Sequence, residues 1–500
     1  MMANLLILPL FLPFIGAAFS LLFRTNKNVQ RLSSVISSSG IALVGVILLN
    51  IVLRNGPLVL YVGNWPAPFG ITFVADLLSA ILVILTGIVG LCVVLYSFVA
   101  INEQRERYGY YPLVQMLLMG VSGTFLTGDI FNMYVWFEVL LIASFVLLAL
   151  GSERAQMEGA IKYVTINLIS SMLFLVAVGL LYAEVGTLNM AHLAVVLPLA
   201  PNNGLIIAIA SMFMIAFGIK AAMFPLYFWL PAAYHTPPPA VSALFAGLLT
   251  KVGVYALLRT FTLIFVLDIP YTHLIILIAS GITMVVGVLG ALAQTEVRRI
   301  LSFLIVSHIG FAVMGLGLYT PEGLAGAVFY LIEDMLVLTA LFIASGVIRQ
   351  SSTSDDLYEL GGFYKASPIF ALLFFIPALS LSGVPPFSGF FAKLALLQAS
   401  IEIQAYGIVT AAIITSILSL LAVTRIWSEV FWKPNPRPKP IRVPAFSFTN
   451  LPIWGPLIGL AASLFILGIV IGPVFAISSQ AGQQLYDPSL YIQAVLGENL

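Results

Sequence analysis

Residues 211–259 read SMFMIAFGIKAAMFPLYFWLPAAYHTPPPAVSALFAGLLTKVGVYALLR, a run that places two lysines, Lys220 and Lys251, in almost unbroken apolar sequence. An ammonium group at bilayer depth costs several kcal/mol, with figures spanning ~2.5 to ~17, unless it is paired or faces water. Each lysine therefore needs a physical reason. Two helix breakers, Pro225 and Pro231, follow Lys220 within the same stretch. Proline removes a backbone donor and clashes with the preceding turn, so the helix carrying Lys220 is expected to break.

Composition fixes the setting. Of 500 residues 61% are hydrophobic and only 8% charged, with a mean hydropathy of +1.09. That is too little polar surface to cover a soluble globule. Apolar segments of about 20 residues recur along the whole chain, which suits helices crossing a hydrocarbon layer rather than barrel strands. The single cysteine, Cys92, lies in an apolar run and is read as packing. It leaves no disulfide framework, iron–sulfur cluster or multi-cysteine metal site within the chain. No His, Cys and carboxylate cluster has ligand spacing, so neither metal nor nucleophilic chemistry is expected. The expectation is a transporter without cofactor or metal, not an enzyme, and without a nucleic-acid partner. The N-terminal segment lacks a basic region and a small-residue cleavage site and reads as a retained first span.

Fourteen candidate spans follow along the chain, among them 131–150, 159–183, 205–229, 239–263, 300–318, 323–348 and 368–402. The basic residues test this count. Under strict alternation one set of connections contains Arg24, Lys27, Arg31, Arg105, Arg107, Arg154, Arg298, Arg299, Arg349, Lys365, Lys433, Arg437, Lys439 and Arg442, and the other only Arg54 and Arg259. The positive-inside rule makes the first set cytoplasmic and puts both termini outside. The stretch 433–452 is basic and proline-rich and reads as an extended cytoplasmic linker. The tail after 475 reads as a frayed end, with a partner contact as the alternative.

The twelfth span holds a second break. It reads LSGVPPFSGFFAK, with Gly383, Pro385, Pro386 and Gly389 ahead of Lys393. Interrupted backbone survives at membrane depth only where protein or a water-filled cavity satisfies it, and a pair of broken spans points to internal repeats. The expected architecture is an all-α polytopic bundle: helices 1–3 in 1–111, a five-helix repeat in 112–263, and a second in 264–432. Linker, last span and tail fill 433–500. Five spans per unit is odd, so the second copy is inverted.

The remaining buried ionisable residues are Glu138, Lys162, His308, Glu333 and Asp334. Desolvation and opposite charge act against each other, so a close Glu138 and Lys220 hold each other ionised, and separating them frees a proton. A row of Glu138, Lys220, Lys251 and Lys393 linked by water would relay protons, and a neutral His308 can pass them between waters. Each residue also has a plain structural reading: Glu138 as an interhelical hydrogen bond, Lys220 and Lys251 as partners of carbonyls at a helix break. Lys393 and Lys162 could snorkel, and His308 could be a satisfied core histidine. His235, in YHTPPPAV, is read as structural at a helix start.

The segments TGDIFNMYVWFEVLLIASFVLL, EGAIKYVTINLISS, the opening stretch from Gly218, EVRRILSFLIVSHIGF and GVPPFSGFFAKLALL resemble the antiporter-like family shared by respiratory complex I and the Mrp multisubunit cation/proton antiporters. The resemblance spans roughly 70–430. It implies a fourteen-helix subunit in which Glu138, Lys220, Lys251 and Lys393 carry protons, with Lys162 the basic residue of the sixth helix. Lys393 is similar to the Mrp members, whereas complex I members carry glutamate there. The length sets the chain apart from the long A-type Mrp member. The implied partners are the other Mrp subunits, the lipid bilayer, protons, and Na+ or K+. The implied setting is a prokaryotic cell membrane, and the alternative is a proton-pumping member of a complex I or membrane-bound hydrogenase assembly. In the eleventh span, FYLIEDMLVLTALF, the family often has a histidine near Glu333 and a lysine near Leu338. The two acids here are expected to be a relay or cation site. Neighbours on a helix point about 100° apart, so the two acids are not expected to face the same neighbour; the resemblance implies Glu333 on the central axis, where the family often has the histidine, and Asp334 at a helix or partner contact.

Overall fold

The computed structural model describes residues 2–201, 203–436 and 440–497. Arg437 and Lys439, both used in the charge count, lie outside the described residues. The chain starts with α1 (Leu8–Leu22), preceded by a tight turn from Met2, and α2 (Lys27–Asn55). An antiparallel ribbon of β1 (Leu58–Tyr61) and β2 (Thr72–Ala75), pairing Leu58 with Ala75 and Tyr61 with Thr72, then leads into α3 (Leu77–Ala100). The ribbon is a small departure from the all-helical expectation. Next come α4 (Tyr110–Leu126), α5 (Ile130–Ala149), α6 (Arg154–Val185), α7 (Asn203–Ala221) and α8 (Pro239–Leu263). The second half holds α9 (Ile269–Leu292), α10 (Val297–Leu318), α11 (Pro321–Ser352), α12 (Pro368–Ser382), α13 (Ser388–Glu402) and α14 (Tyr406–Ile426). Finally α15 (Leu451–Ile469), α16 (Ile471–Tyr486) and α17 (Ser489–Leu496) close the chain.

Twelve helices among the described residues are long and apolar enough to cross a membrane. The other two expected spans, 112–127 and 368–402, coincide with the 17-residue α4 and the broken pair α12 and α13, none of which reaches that length as a single helix. Side chains cap the helix starts where the chain turns: Asp76 accepts from Ser79, Asp129 from Asn132, Asp268 from Tyr271 and Thr320 from Gly323. These acceptors satisfy amide groups that would otherwise be orphaned at the ends of apolar helices.

Both breaks fall where the prolines put them. Helix α7 ends at Ala221, eight residues short of the expected span end, and a short helix Trp229–Tyr234 resumes before α8. The twelfth span is interrupted between Ser382 and Ser388. The tail departs from expectation. It is not frayed: α16 packs along α11, where a Cβ on Gly482 would strike Ala325 and Pro321, and Phe475 meets Phe329. Small residues on an otherwise weakly apolar helix allow that approach.

The two halves share a detail of backbone pairing. In the first, Ile130 N donates to Leu188 O and Met190 N to Gly128 O, each at 2.9 Å. In the second, Val297 N donates to Asp355 O and Leu357 N to Thr295 O, again at 2.9 Å. All four partners are displaced by one constant sequence offset. Five spans separate the bridges, so they fall at opposite ends of the bundle, as an inverted duplication requires.

Helices α8 and α11 are buried over 100% of their apolar windows and α10 over 94%, whereas α6, α9 and α14 show 39%, 39% and 33%. The first three thus form a central file and the others a lipid-facing shell. Gly253 of α8 lets the broken end of α7 approach: a Cβ there would strike Ala221 N and stand 2.7 Å from Lys220 C. The neighbour is backbone and cannot swing aside. Gly253→Ala should therefore destabilise the bundle by about 1–3 kcal/mol, the cost of overpacking, measured as a lower thermal midpoint of the purified complex. An unchanged midpoint would show that α7 is free to move.

Candidate functional site

The central file carries the buried charges. Lys220, at the end of α7, is 6% exposed. Its Nζ donates to Asn167 O at 3.3 Å and Ser171 Oγ at 3.0 Å on α6, and lies 5.5 Å from the ring centre of Phe137. The break leaves Lys220 in the last turn of α7, where the negative end of the helix dipole favours a cation. Glu138, on α5 beside Phe137, is half-buried, and its Oε1 has no hydrogen-bond partner. Among the described residues no ion pair joins Glu138 to Lys220. Of the two arrangements open to the pair the structure shows the separated one: Lys220 is held by a carbonyl, a hydroxyl and a ring face.

Lys251, at the middle of α8, is in direct contact with an acid. Its Nζ lies 2.9 Å from Asp334 Oδ2 on α11 and donates to Ala246 O at 2.6 Å. The other carboxylate oxygen of Asp334 stands 3.4 Å from His308 Nδ1 on α10, and the Tyr330 hydroxyl lies 2.5 Å from the same nitrogen. All of these groups are almost wholly buried. Lys251, Asp334 and His308 therefore form one contiguous chain across the three most buried helices.

Glu333 turns to the second break. Ser380 Oγ donates to its Oε1 at 2.9 Å and in turn accepts from Gly389 N at 3.2 Å, while Ser388 Oγ lies 3.2 Å away. A Cβ on Gly389 would strike Ser380 O and sit 2.9 Å from Glu333 Oε1, so glycine is what lets the carboxylate reach the break. Lys393, on α13, donates its Nζ to Leu381 O at 2.9 Å, over the ring of Phe311 at 4.8 Å. It does not snorkel.

Two expectations need correcting here. Asp334, not Glu333, occupies the junction with Lys251 and His308, and it does not face a partner surface. Both acids point inward because α11 is enclosed on every side. Lys162 lies outside the row: its side chain is 50% exposed and pairs with Glu158 one turn away at 2.6 Å. It lines the mouth of a cavity of about 390 Å³ with Glu158, His235 and Arg299, beside the break after α7. His235 is fixed there by Nδ1 contact with Pro231 O at 2.8 Å. Burial, and then the charge of Arg299, push this imidazole below its ordinary range.

Sequence reasoning missed two kinds of residue. Ser171, Ser380 and Tyr330 are polar partners whose roles depend on which helix they face. Asp76 and Arg259 form a second buried ion pair at 2.5 Å. Arg259 falls in a connection by the charge count but lies inside α8, four residues before its end. Its only signal was an arginine trailing an apolar run.

Removing one partner of the Lys251–Asp334 pair leaves an unpaired buried charge, which costs about 3–5 kcal/mol. Asp334→Leu should lower the thermal midpoint of the complex, and Lys251→Met/Asp334→Leu should restore it while transport stays absent. Transport by the double variant would remove the pair from the ion path.

Comparisons with known proteins bear on the family and the overall fold. The family described as NADH:quinone oxidoreductase/Mrp antiporter, TM matches residues 127–419. The D subunit of the Na(+)/H(+) antiporter of Alkalihalophilus pseudofirmus is 44% identical over 99% of this chain and 100% of its own length. That of Bacillus subtilis is 41% identical over 99% and 100%. Among solved structures, a chain of the Mrp complex from Dietzia sp. DQ12-45-1b superposes with TM-score 0.93 at 30% identity, covering 99% of this chain and 100% of that one. A chain of an archaeal membrane-bound sulfane sulfur reductase, a respiratory membrane complex, gives 0.89 at 26% identity over 99% and 100%.

Proposed function

The chain belongs to the NADH:quinone oxidoreductase/Mrp antiporter transmembrane family, and we propose that it is the proton-translocating D-type subunit of a multisubunit Na+/H+ antiporter in a prokaryotic cell membrane. The observation that carries this reading is the unbroken chain Lys251, Asp334, His308, which ties the first half to the second through buried titratable groups. D-type antiporter relatives at 44% and 41% over full length support the antiporter reading over membership of a redox complex. Residues 1–111 are the N-terminal helices, 112–263 and 264–432 the two repeats, and both termini face outward.

In this reading Glu138 and Lys220 are the core of the first half. A proton reaches Lys220 from the polar cavity beside the break, and the charge on Glu138 biases whether Lys220 keeps it. At Lys251 a proton passing from the ammonium to the Asp334 carboxylate turns an ion pair into a neutral pair. That exchange leaves the net charge of the pair at zero. His308, held by Tyr330, is placed to accept the proton next and hand it by way of water towards Glu333 and Lys393. Asp334 thus does the work of the basic residue that the family often has on this helix. The chain works within a hetero-oligomer of such subunits.

The experiment is cation-driven proton movement in everted vesicles carrying the whole complex. Glu138→Ala and Lys220→Ala should each abolish it with assembly intact, and wild-type transport by either assembled variant would sink the reading. Lys393→Ala should impair transport strongly and Lys393→Arg rescue it only in part, because a guanidinium does not readily release a proton. Full activity in both would take Lys393 out of the path.

A further inference from the structure

Helix α8 does not end at Lys251. Tyr255 and Arg259 follow at one-turn intervals on the same face, rising about 12 Å at 1.5 Å per residue. The column points to the end of the bundle that carries the β1–β2 ribbon and the C-terminal helices. There Arg259 Nη2 lies 2.5 Å from Asp76 Oδ2, while Asp76 Oδ1 accepts from Ser79 N at 2.9 Å and Ser79 Oγ at 2.6 Å. Arg259 Nε reaches the Tyr255 hydroxyl at 3.4 Å, and that hydroxyl donates to Phe125 O at 2.9 Å. The guanidinium also meets two ring faces, Tyr255 at 5.5 Å and Tyr491 of α17 at 5.0 Å. Helix α17 is fixed in this position. Tyr61 OH donates to Val495 O at 2.7 Å, and Gln484 of α16 accepts from Leu77 N at 3.3 Å.

We propose that Arg259, paired with Asp76 and covered by Tyr491, is a proton barrier that closes the outer end of the Lys251 column. One observation sets it apart from packing. A buried ion pair is a costly way to fill space compared with apolar side chains, and this one lies under the Tyr491 ring at 5.0 Å. A guanidinium stays charged at any working pH, so it repels an arriving proton and has none to give. The Tyr491 ring lies over the guanidinium, and Arg259 is 4% exposed. The inference rests on the relay reading of Lys251. A proton delivered to Lys251 is then barred from the near exit and must pass on to Asp334.

The test uses the complete complex in everted vesicles without exchangeable cation, reading the decay of an imposed pH gradient. Arg259→Lys keeps the charge and the Asp76 partner but supplies a group able to release a proton, and Tyr491→Ala uncovers the pair. Both should speed the decay several-fold with assembly unchanged, Tyr491→Phe should stay tight, and adding Lys251→Met should return the leak to the wild-type rate. Wild-type decay in assembled Arg259→Lys and Tyr491→Ala would overturn the barrier, as would a leak that survives Lys251→Met. If Tyr491→Ala fails to assemble, Arg259→Lys alone decides. Failure of the relay reading is separately visible, as normal cation-driven transport in Lys251→Met.

Discussion

A single buried ion pair, Lys251 with Asp334, organises this protein. It joins α8 to α11, the two helices with no lipid-facing side, and so links the two halves at the one place where neither can turn away. Burying both charges is unfavourable by itself, since desolvation offsets much of the attraction. What the pair supplies is a fixed meeting point at which His308, Tyr330 and the carbonyl of Ala246 complete the polar shell.

The two helix breaks extend that logic. At each one an ammonium group sits beside a carbonyl: Lys220 at Asn167, and Lys393 at Leu381, which the interruption itself frees. Hydroxyl groups of Ser171 and Ser380 stand where water alone would otherwise have to serve. At the second break the cost of interrupting a membrane helix and the cost of burying a lysine are met by the same carbonyl, whereas Lys220 takes its partners from the unbroken α6.

Much of this is legible from residue type. Lysines in apolar runs, prolines beside two of them and an odd repeat unit lead to the bundle, the breaks and most of the polar row. What cannot be read is the direction in which a side chain faces. Lys162 and Lys220 look alike as lysines in apolar sequence, yet α6 is largely lipid-facing and turns Lys162 out to Glu158. Helical spacing divides Glu333 and Asp334 between axis and periphery, but α11 has no periphery. Arg259 is misplaced only in the charge count, which assigns it to a connection although it lies within 239–263, the stretch that α8 occupies. The tail hides its packing in glycine and alanine, whose contribution is the closeness they permit.

The paired bridges near Ile130 and Val297 have a mechanical consequence. Each stitches two loops of its own half together with a pair of backbone hydrogen bonds, and the two stitches lie on opposite faces. Each half is therefore tied at one face by its own backbone, and the tied faces are opposed. A motion that opened both halves to the same side would have to tear a stitch.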